Sequence, residues 1–279
     1  MSCPLCDGTG WKPVEHNGIR RVVRCDCWRD ELGAARLTKA NIPKRYEHCT
    51  IANFTVYNES LEKAAAAARH LADTFPVVGK GLFLEGPPGV GKTHLAVAVL
   101  KQVIQTTGAT GLFYDTRDLL RVIRSTYDPS IRATEIEVLR PVMTAELLVL
   151  DDLGAEKTSE WVDETLNLIV NTRYSERRAT VFTSNYEDRP DDTDPNTLLF
   201  RIGFRMHSRL HEMCEFLDLD GGDYRLMPQN GGVDDLIALW KTRRKSLPAR
   251  TGRQARAELR PSARDGKADL KWSGGRAGS

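Results

Sequence analysis

The run GLFLE, residues 81–85, leads into GPPGVGKT, Gly86 to Thr93, and then directly into HLAVAVLKQVIQ. A strand-length apolar run, a glycine-rich turn and a helix in that order constrain the chain more than any other segment, because together they make a phosphate-binding loop. The glycines Gly86, Gly89 and Gly91 let backbone N–H groups curl around an anion, and the N-terminus of the following helix adds favourable partial charge. Pro87, Pro88 and Val90 complete the loop at tolerant positions. Lys92 is expected to reach the β and γ phosphates of ATP, and Thr93 to offer its hydroxyl to Mg²⁺. An ordinary Gly/Pro turn before a helix is the competing reading, and both flanks disfavour it.

A second segment, ELLVLDDLG at residues 146–154, reads as a buried strand ending in two acids. Asp151 suits the Mg²⁺-bearing position, and Asp152 is placed to orient or deprotonate an attacking water. A base shorter than Glu implies slow turnover. In TVFTSN, Asn185 ends another strand, where its amide could hold that water opposite the γ-phosphate. Asn after a strand is also a common turn residue, so its meaning comes from its place after the two acid-bearing elements.

GLFLE, GLFYD, ELLVLDD, ATVFTSN and CEFLDL alternate with helical patterns such as KTHLAVAVLKQVIQ and EWVDETLNLIVNTRYSE. Strands alternating with helices predict an α/β fold, a parallel sheet covered on both faces. Composition divides the chain into residues 1–30, a cysteine-bearing module; 31–75, helices around an IPKRY turn; 76–240, the nucleotide-binding domain; and 241–279, a tail. The tail carries twelve Lys and Arg against three Asp and Glu, a net of +9 that leaves −7 on residues 1–240. It holds few large apolar residues and is expected to be disordered. No stretch approaches the roughly 18 apolar residues of a membrane span, and Cys3 and Cys6 stand where a signal peptide would begin. A cytoplasmic protein without membrane contact is the expectation.

Six cysteines in such a compartment are expected to stay reduced, so a close cluster points to metal. CPLC (Cys3, Cys6) and CDC (Cys25, Cys27) are separated by 18 residues, and four thiolates in two pairs suit a tetrahedral structural Zn²⁺. His16 replacing one thiol, or an unmetallated redox pair, are the alternatives. Cys49 and Cys214 lie apart and read as buried thiols.

RIGFRMHSRL, residues 201–210, places Arg201, Arg205 and Arg209 four apart, after an Asp194–Pro195 pair that predicts a helix start. One helical face would then carry three like charges, unfavourable by a few tenths of a kcal/mol per pair, so either a compensating anion or a solvated basic face is implied.

The ordered set of strand–GPPGVGKT–helix, LLVLDDLG, TSN, RxxSRL and GGDYR (Gly221 to Arg225) resembles the AAA+ ATPases of the DnaC/DnaI helicase-loader type, relatives of DnaA initiators and IstB transposition helpers. The likeness covers roughly residues 41–228. It implies a P-loop AAA+ sheet with a reduced or absent lid, since after Arg225 only VDDLIALWKTRRK offers a helix. It implies ATP held between subunits of a homo-oligomer, with Arg209 reaching the γ-phosphate bound by the neighbour, Arg205 as second candidate, and Arg225 touching nucleotide within its own subunit. IPKRY, Ile42 to Tyr46, resembles the segment beside the adenine, although an aromatic after Pro also suits plain core. The cysteine module, as in some loaders, would contact the replicative helicase hexamer. The segment with Arg117, Arg121, Arg124, Arg132 and Tyr127 matches the place where initiators bind single-stranded DNA, and equally describes an amphipathic surface helix. The basic tail could add salt-sensitive attraction to nucleic acid. The implied function is ATP-dependent loading of the helicase in DNA replication; a transposition helper, a P-loop small-molecule kinase and a passive zinc adaptor are the other readings.

Overall fold

The computed structural model describes residues 3–6, 9, 11–16, 19–25, 27–128, 130, 134–157 and 159–246. A hairpin of β1 (Trp11–His16) and β2 (Ile19–Arg24) lies between the cysteine pairs, and α1 (Cys27–Lys39) follows. α1 starts on the last cysteine of the cluster and packs against the helix that follows the glycine-rich loop, Lys92–Thr107. Next come α2 (Glu59–Thr74), β3 (Gly81–Glu85), α3 (Lys92–Thr107), β4 (Gly111–Asp115) and α4 (Thr116–Ser125). The chain continues with α5 (Glu135–Thr144), β5 (Leu147–Asp151), α6 (Glu160–Ser175), β6 (Ala179–Ser184), α7 (Leu198–Met213), β7 (Cys214–Asp218) and α8 (Val233–Ser246).

Five strands form a parallel sheet in the order β4-β5-β6-β3-β7. Successive side chains on a strand point to opposite faces, and the two cores divide accordingly. Leu82, Leu84, Leu147, Val149 and Val181 pack with α2 and α3 on one face. Phe83, Leu148, Leu150 and Phe182 pack with α4 to α7 on the other. β5 and β6 are buried along their whole length, which is why they read as continuous apolar runs rather than alternating ones. Because all five strands run the same way, the C-terminal ends of β3, β4, β5 and β6 open on one edge, where ligands of such sheets bind. Among the described residues no helix is long and apolar enough to cross a membrane.

Two local expectations are corrected. α7 begins at Leu198 with Thr197 as its cap, its side chain accepting from Phe200 N. Asp194 instead holds the preceding turn, its carboxylate taking the N–H of Asn196 at 2.9 Å. The three arginines do not share one stripe either. Gly203, at φ 73° and ψ 159°, breaks the helix between Arg201 and Arg205, a conformation that only glycine adopts readily. Arg201 turns away, its guanidinium 4.5 Å from the ring centroid of Tyr186 and hydrogen-bonded to that phenol. Arg205 and Arg209 line a groove with Glu160, Asp163 and Glu164 of α6. The groove thus sets acids of α6 opposite the two arginines.

Arg173 on α6 is fully buried. Its Nε donates to Thr180 Oγ1 at 2.9 Å, and its terminal nitrogens donate to the carbonyls of Val142, Met143, Ala145 and Ala179 at 2.6–3.3 Å. It thereby satisfies the carbonyls at the end of α5, which lack partners within the helix. Burial lowers its pKa to about 9, so the side chain stays cationic at neutral pH. Arg173→Met would leave several buried carbonyls without donors, at about 1–3 kcal/mol each. A fall in the urea midpoint corresponding to about 3 kcal/mol or more is expected, and Arg173→Lys, with no planar fork, should not restore it.

Candidate functional site

A cavity of about 580 Å³ opens at the C-terminal edge of the sheet and is lined by the glycine-rich loop together with Asp151, Asp152, Asn185 and Arg225. The size is that of a small-molecule site. The loop leaves β3 at Gly86 and enters α3 at Lys92, with Gly91 at φ 102°. A Cβ at Gly91 would lie 2.6 Å from the ring of Phe54, so both backbone and space require glycine there.

The sequence-predicted residues of the phosphate end are brought together by a continuous hydrogen-bond chain. Thr93 Oγ1 donates to Asp151 Oδ1 at 2.8 Å, and Thr183 Oγ1 donates to the same oxygen at 2.6 Å. Lys92 Nζ donates to the carbonyls of Gly86 and Pro87 at 2.8 and 2.9 Å and to Asn185 Oδ1 at 2.8 Å. Asn185 Nδ2 in turn donates to Asp152 Oδ1 at 2.5 Å. Asp152 itself has φ 60°, a left-handed backbone that Asp tolerates better than most residues. Its N–H is held by Thr183 Oγ1 at 2.9 Å.

Burial raises the pKa of Asp151, and the Thr183 and Thr93 hydroxyls oppose the shift. Burial likewise lowers Lys92 to about 8, against the pull of Asp151 and Asp152. Oxygen ligands are what Mg²⁺ selects, and the Thr93 hydroxyl beside the Asp151 carboxylate is a donor pair that fits it.

Arg225 lies in a short turn, Tyr224–Leu226, docked on the glycine-rich loop by the hydrogen bond from Tyr224 N to Gly89 O at 3.0 Å. Tyr46 and Arg45 of the IPKRY segment line the same cavity with Phe54 and Tyr57, and Tyr46 also packs against the core. The segment thus serves the core and the cavity wall together. α8 is the one helix described after Arg225. It contributes Leu236 to the cavity and is fixed to the body by Trp240 Nε1 and Arg243, which both donate to Asp220. Arg209 and Arg205 lie in the separate α6–α7 groove.

Sequence reasoning missed three contributors. Thr183 precedes Asn185 by two and bridges β6 to β5. Thr116 ties α4 to the carbonyl of Asp151 at 2.8 Å. Arg117, grouped with the arginines expected on DNA, pairs with Asp152 Oδ2 at 3.1 Å and lines the nucleotide cavity. A cation just past the end of β4 was the available signal. Arg121 pairs with Asp118 at 2.6 Å, while Arg124 lies over Trp161, whose Nε1 donates to the Tyr127 hydroxyl at 3.0 Å. Arg132 and the tail beyond residue 246 lie outside the described residues.

The Sγ atoms of Cys3, Cys6, Cys25 and Cys27 all lie within 4.8 Å of one another, with Cys3–Cys25 at 3.7 Å and Cys6–Cys27 at 3.3 Å. A tetrahedron of roughly 2.3 Å zinc–sulfur bonds has edges of about 3.8 Å, so the donor set fits zinc. Cys49 and Cys214 are buried apart from the cluster, as expected.

Comparison with known proteins agrees with this geometry. The family model described as IstB-like ATP binding protein matches residues 24–230. The chain belongs to this family. ATP is thus the nucleotide that the cavity is built for. A crystal structure of the DnaC helicase loader is 35% identical, with a TM-score of 0.56 over 63% of this chain and 99% of that one. The replicative helicase loader DnaC of Buchnera aphidicola subsp. Baizongia pistaciae (strain Bp) is 29% identical over 153 residues, 55% of this chain and 62% of that protein. The match thus spans about six tenths of that relative's length. AMPPCP-bound DnaA from Aquifex aeolicus shares the fold, at 19% identity and a TM-score of 0.53 over 76% of this chain and 59% of that one. The AAA+ α/β fold expected from the sequence is the one observed.

If Lys92 meets the phosphates as its place in the loop predicts, nucleotide binding is pH-dependent. Phosphate oxygens favour the ammonium form, so above about pH 8 binding must take up a proton and ATP affinity falls, approaching about tenfold per pH unit. A fluorescent ATP analogue titrated from about pH 7 to 10 should show this break, and Lys92→Ala should bind weakly at every pH without it. Affinity that stayed level to the alkaline limit would contradict the assignment.

Proposed function

We propose that this IstB-like ATP-binding protein is a cytoplasmic loader of the replicative DNA helicase onto single-stranded DNA, working as an ATP switch in replication. The observation that carries the reading is the 35% identity to a DnaC helicase loader across 99% of that solved chain.

The roles follow from the chemistry. The glycine-rich loop and Lys92 bind the phosphates, and Thr93 and Asp151 would hold Mg²⁺, which neutralises charge on the β and γ oxygens when bound. Asp152 takes the proton of the attacking water and Asn185 orients that water. Both are engaged within the chain, Asp152 by Arg117 and Asn185 and the amide by Lys92. The γ-phosphate competes for Lys92, so binding frees Asn185. A short base already paired with a guanidinium makes turnover slow and partner-stimulated. Arg225 contacts the nucleotide from its own subunit. Arg209 reaches the γ-phosphate of the adjacent subunit in an ATP-dependent homo-oligomer, with Arg205 beside it; their position in a groove apart from their own cavity supports this. Cys3, Cys6, Cys25 and Cys27 would hold a structural Zn²⁺ that orders the helicase-contacting module, and Arg121, Arg124 and the basic tail face nucleic acid.

Two measurements test this. Immobilised protein should capture the hexameric helicase of its host in ATP and release it in ADP; capture indifferent to nucleotide, or absent, removes the loader reading and favours a transposition helper. Arg209→Ala should lower steady-state ATP hydrolysis by about 10³-fold or more, the range of an arginine supplied in trans, with ATP affinity changed little.

A further inference from the structure

A second donor cluster lies on the far side of the P-loop strand. Asp188 sits three residues past Asn185, and His207 and His211 are one helical turn apart on the part of α7 beyond the Gly203 break. An i, i+4 histidine pair projects both imidazoles from one helical face, the arrangement found in zinc-binding helices. His207 Nε2 lies 2.6 Å from Asp188 Oδ1, His211 Nε2 lies 3.1 Å from Asp188 Oδ2, and the two Nε2 atoms are 3.3 Å apart. Ligands about 2.0–2.1 Å from a tetrahedral zinc stand about 3.3 Å from one another; the 3.1 and 3.3 Å separations match that edge, and the 2.6 Å pair, at hydrogen-bond length here, would have to open to admit an ion.

With a hydrogen on each Nε2 the two rings can donate to separate Asp188 oxygens, but their nitrogens remain only 3.3 Å apart. A divalent ion accepts both imidazole lone pairs and the carboxylate at once.

The donors are also held in place. Asp188 N–H donates to Glu85 Oε2 at 2.6 Å, the His211 ring stacks on Phe216 at 4.0 Å and 5°, and the His211 carbonyl accepts from Lys80 Nζ at 3.0 Å. These contacts fix the backbone at Asp188 and His211 and the plane of the His211 ring. The side chains of Asp188, His207 and His211 are 21%, 15% and 43% exposed, so the cluster can be reached from solvent.

We propose that Asp188, His207 and His211 form a second metal site, for a divalent transition ion of the zinc class. Two imidazoles with a single carboxylate select zinc, nickel or cobalt over Mg²⁺ and Ca²⁺, which prefer all-oxygen shells. A bound ion cross-links the segment after Asn185 to the helix that carries Arg205 and Arg209. It thereby stiffens the connection between the nucleotide end of the sheet and the groove in which those arginines lie.

The test uses the full chain, stripped with a chelator, re-equilibrated with buffered Zn²⁺ without nucleotide, and assayed for metal per chain. The parent should hold one equivalent more than His211→Ala or Asp188→Asn at the same free zinc. Loss of a direct ligand should weaken the site by more than the roughly 10–100-fold that loss of an outer partner costs. Because the comparison is a difference, it does not depend on whether the cysteines also bind zinc. Equal metal content in parent and variants overturns the proposal. Should a variant misfold, the parent alone decides: the imidazole ¹⁵N resonances of His207 and His211 shift on adding Zn²⁺ if the site exists, and stay fixed if it does not.

Discussion

One oxygen holds the nucleotide end of this protein together. Asp151 Oδ1 accepts from the hydroxyls of Thr93 and Thr183, so the loop after β3, the end of β5 and the end of β6 share a single buried acceptor. A carboxylate taken out of water is costly unless its lone pairs are occupied, and here two hydroxyls occupy one of its oxygens. The parallel sheet makes the meeting possible by delivering three strand ends to one edge. Asp152, turned into the left-handed region immediately afterwards, is re-aimed from the sheet toward Asn185 and Arg117.

From that oxygen the rest of the site can be traced. Thr93 opens α3, whose residues are buried on nearly every side and cannot shift without the core. Asn185 accepts from Lys92 and donates to Asp152, so the group proposed to meet phosphate and the group proposed to meet water share a single amide. A ligand that draws Lys92 toward its own oxygens therefore changes what Asp152 can do. This is what the proposed ATP switch would act through in one subunit. The turn with Arg225 and helix α8 closes the other side of the same cavity through Gly89, Tyr57 and Asp220.

The sheet was legible because its strands are short apolar runs bounded by glycine and acids, and burial on both faces leaves no polar alternation to confuse with helix. The phosphate end was legible because its residues follow strand ends directly. What was not legible depends on single backbone angles or on distant partners. Spacing cannot show that Gly203 breaks α7 and sends Arg201 to Tyr186, since a lone glycine is tolerated in many helices. Nor can it show that Thr197, not Asp194, caps that helix. Arg117 looked like its exposed neighbours Arg121 and Arg124 until Asp152, 35 positions away, was placed beside it. Arg173 reads as a surface cation in the last turn of α6 and is instead the buried donor that completes α5. The histidines of HSRLH carried a legible i, i+4 spacing, but their carboxylate comes from another segment.

In the proposed oligomer a complete site takes its last charge from another copy of the chain. Mixing two inactive variants tests it most directly: Lys92→Ala, which keeps Arg209 but cannot use ATP, and Arg209→Ala, which keeps the ATP site but lacks the donated guanidinium. If Arg209 acts across the interface, the mixture hydrolyses ATP although neither variant does so alone, and activity rises with the fraction of mixed neighbours. If the mixture stays as inactive as its components while both retain their folds and the parent turns over, each subunit's site is self-contained and the claim is wrong.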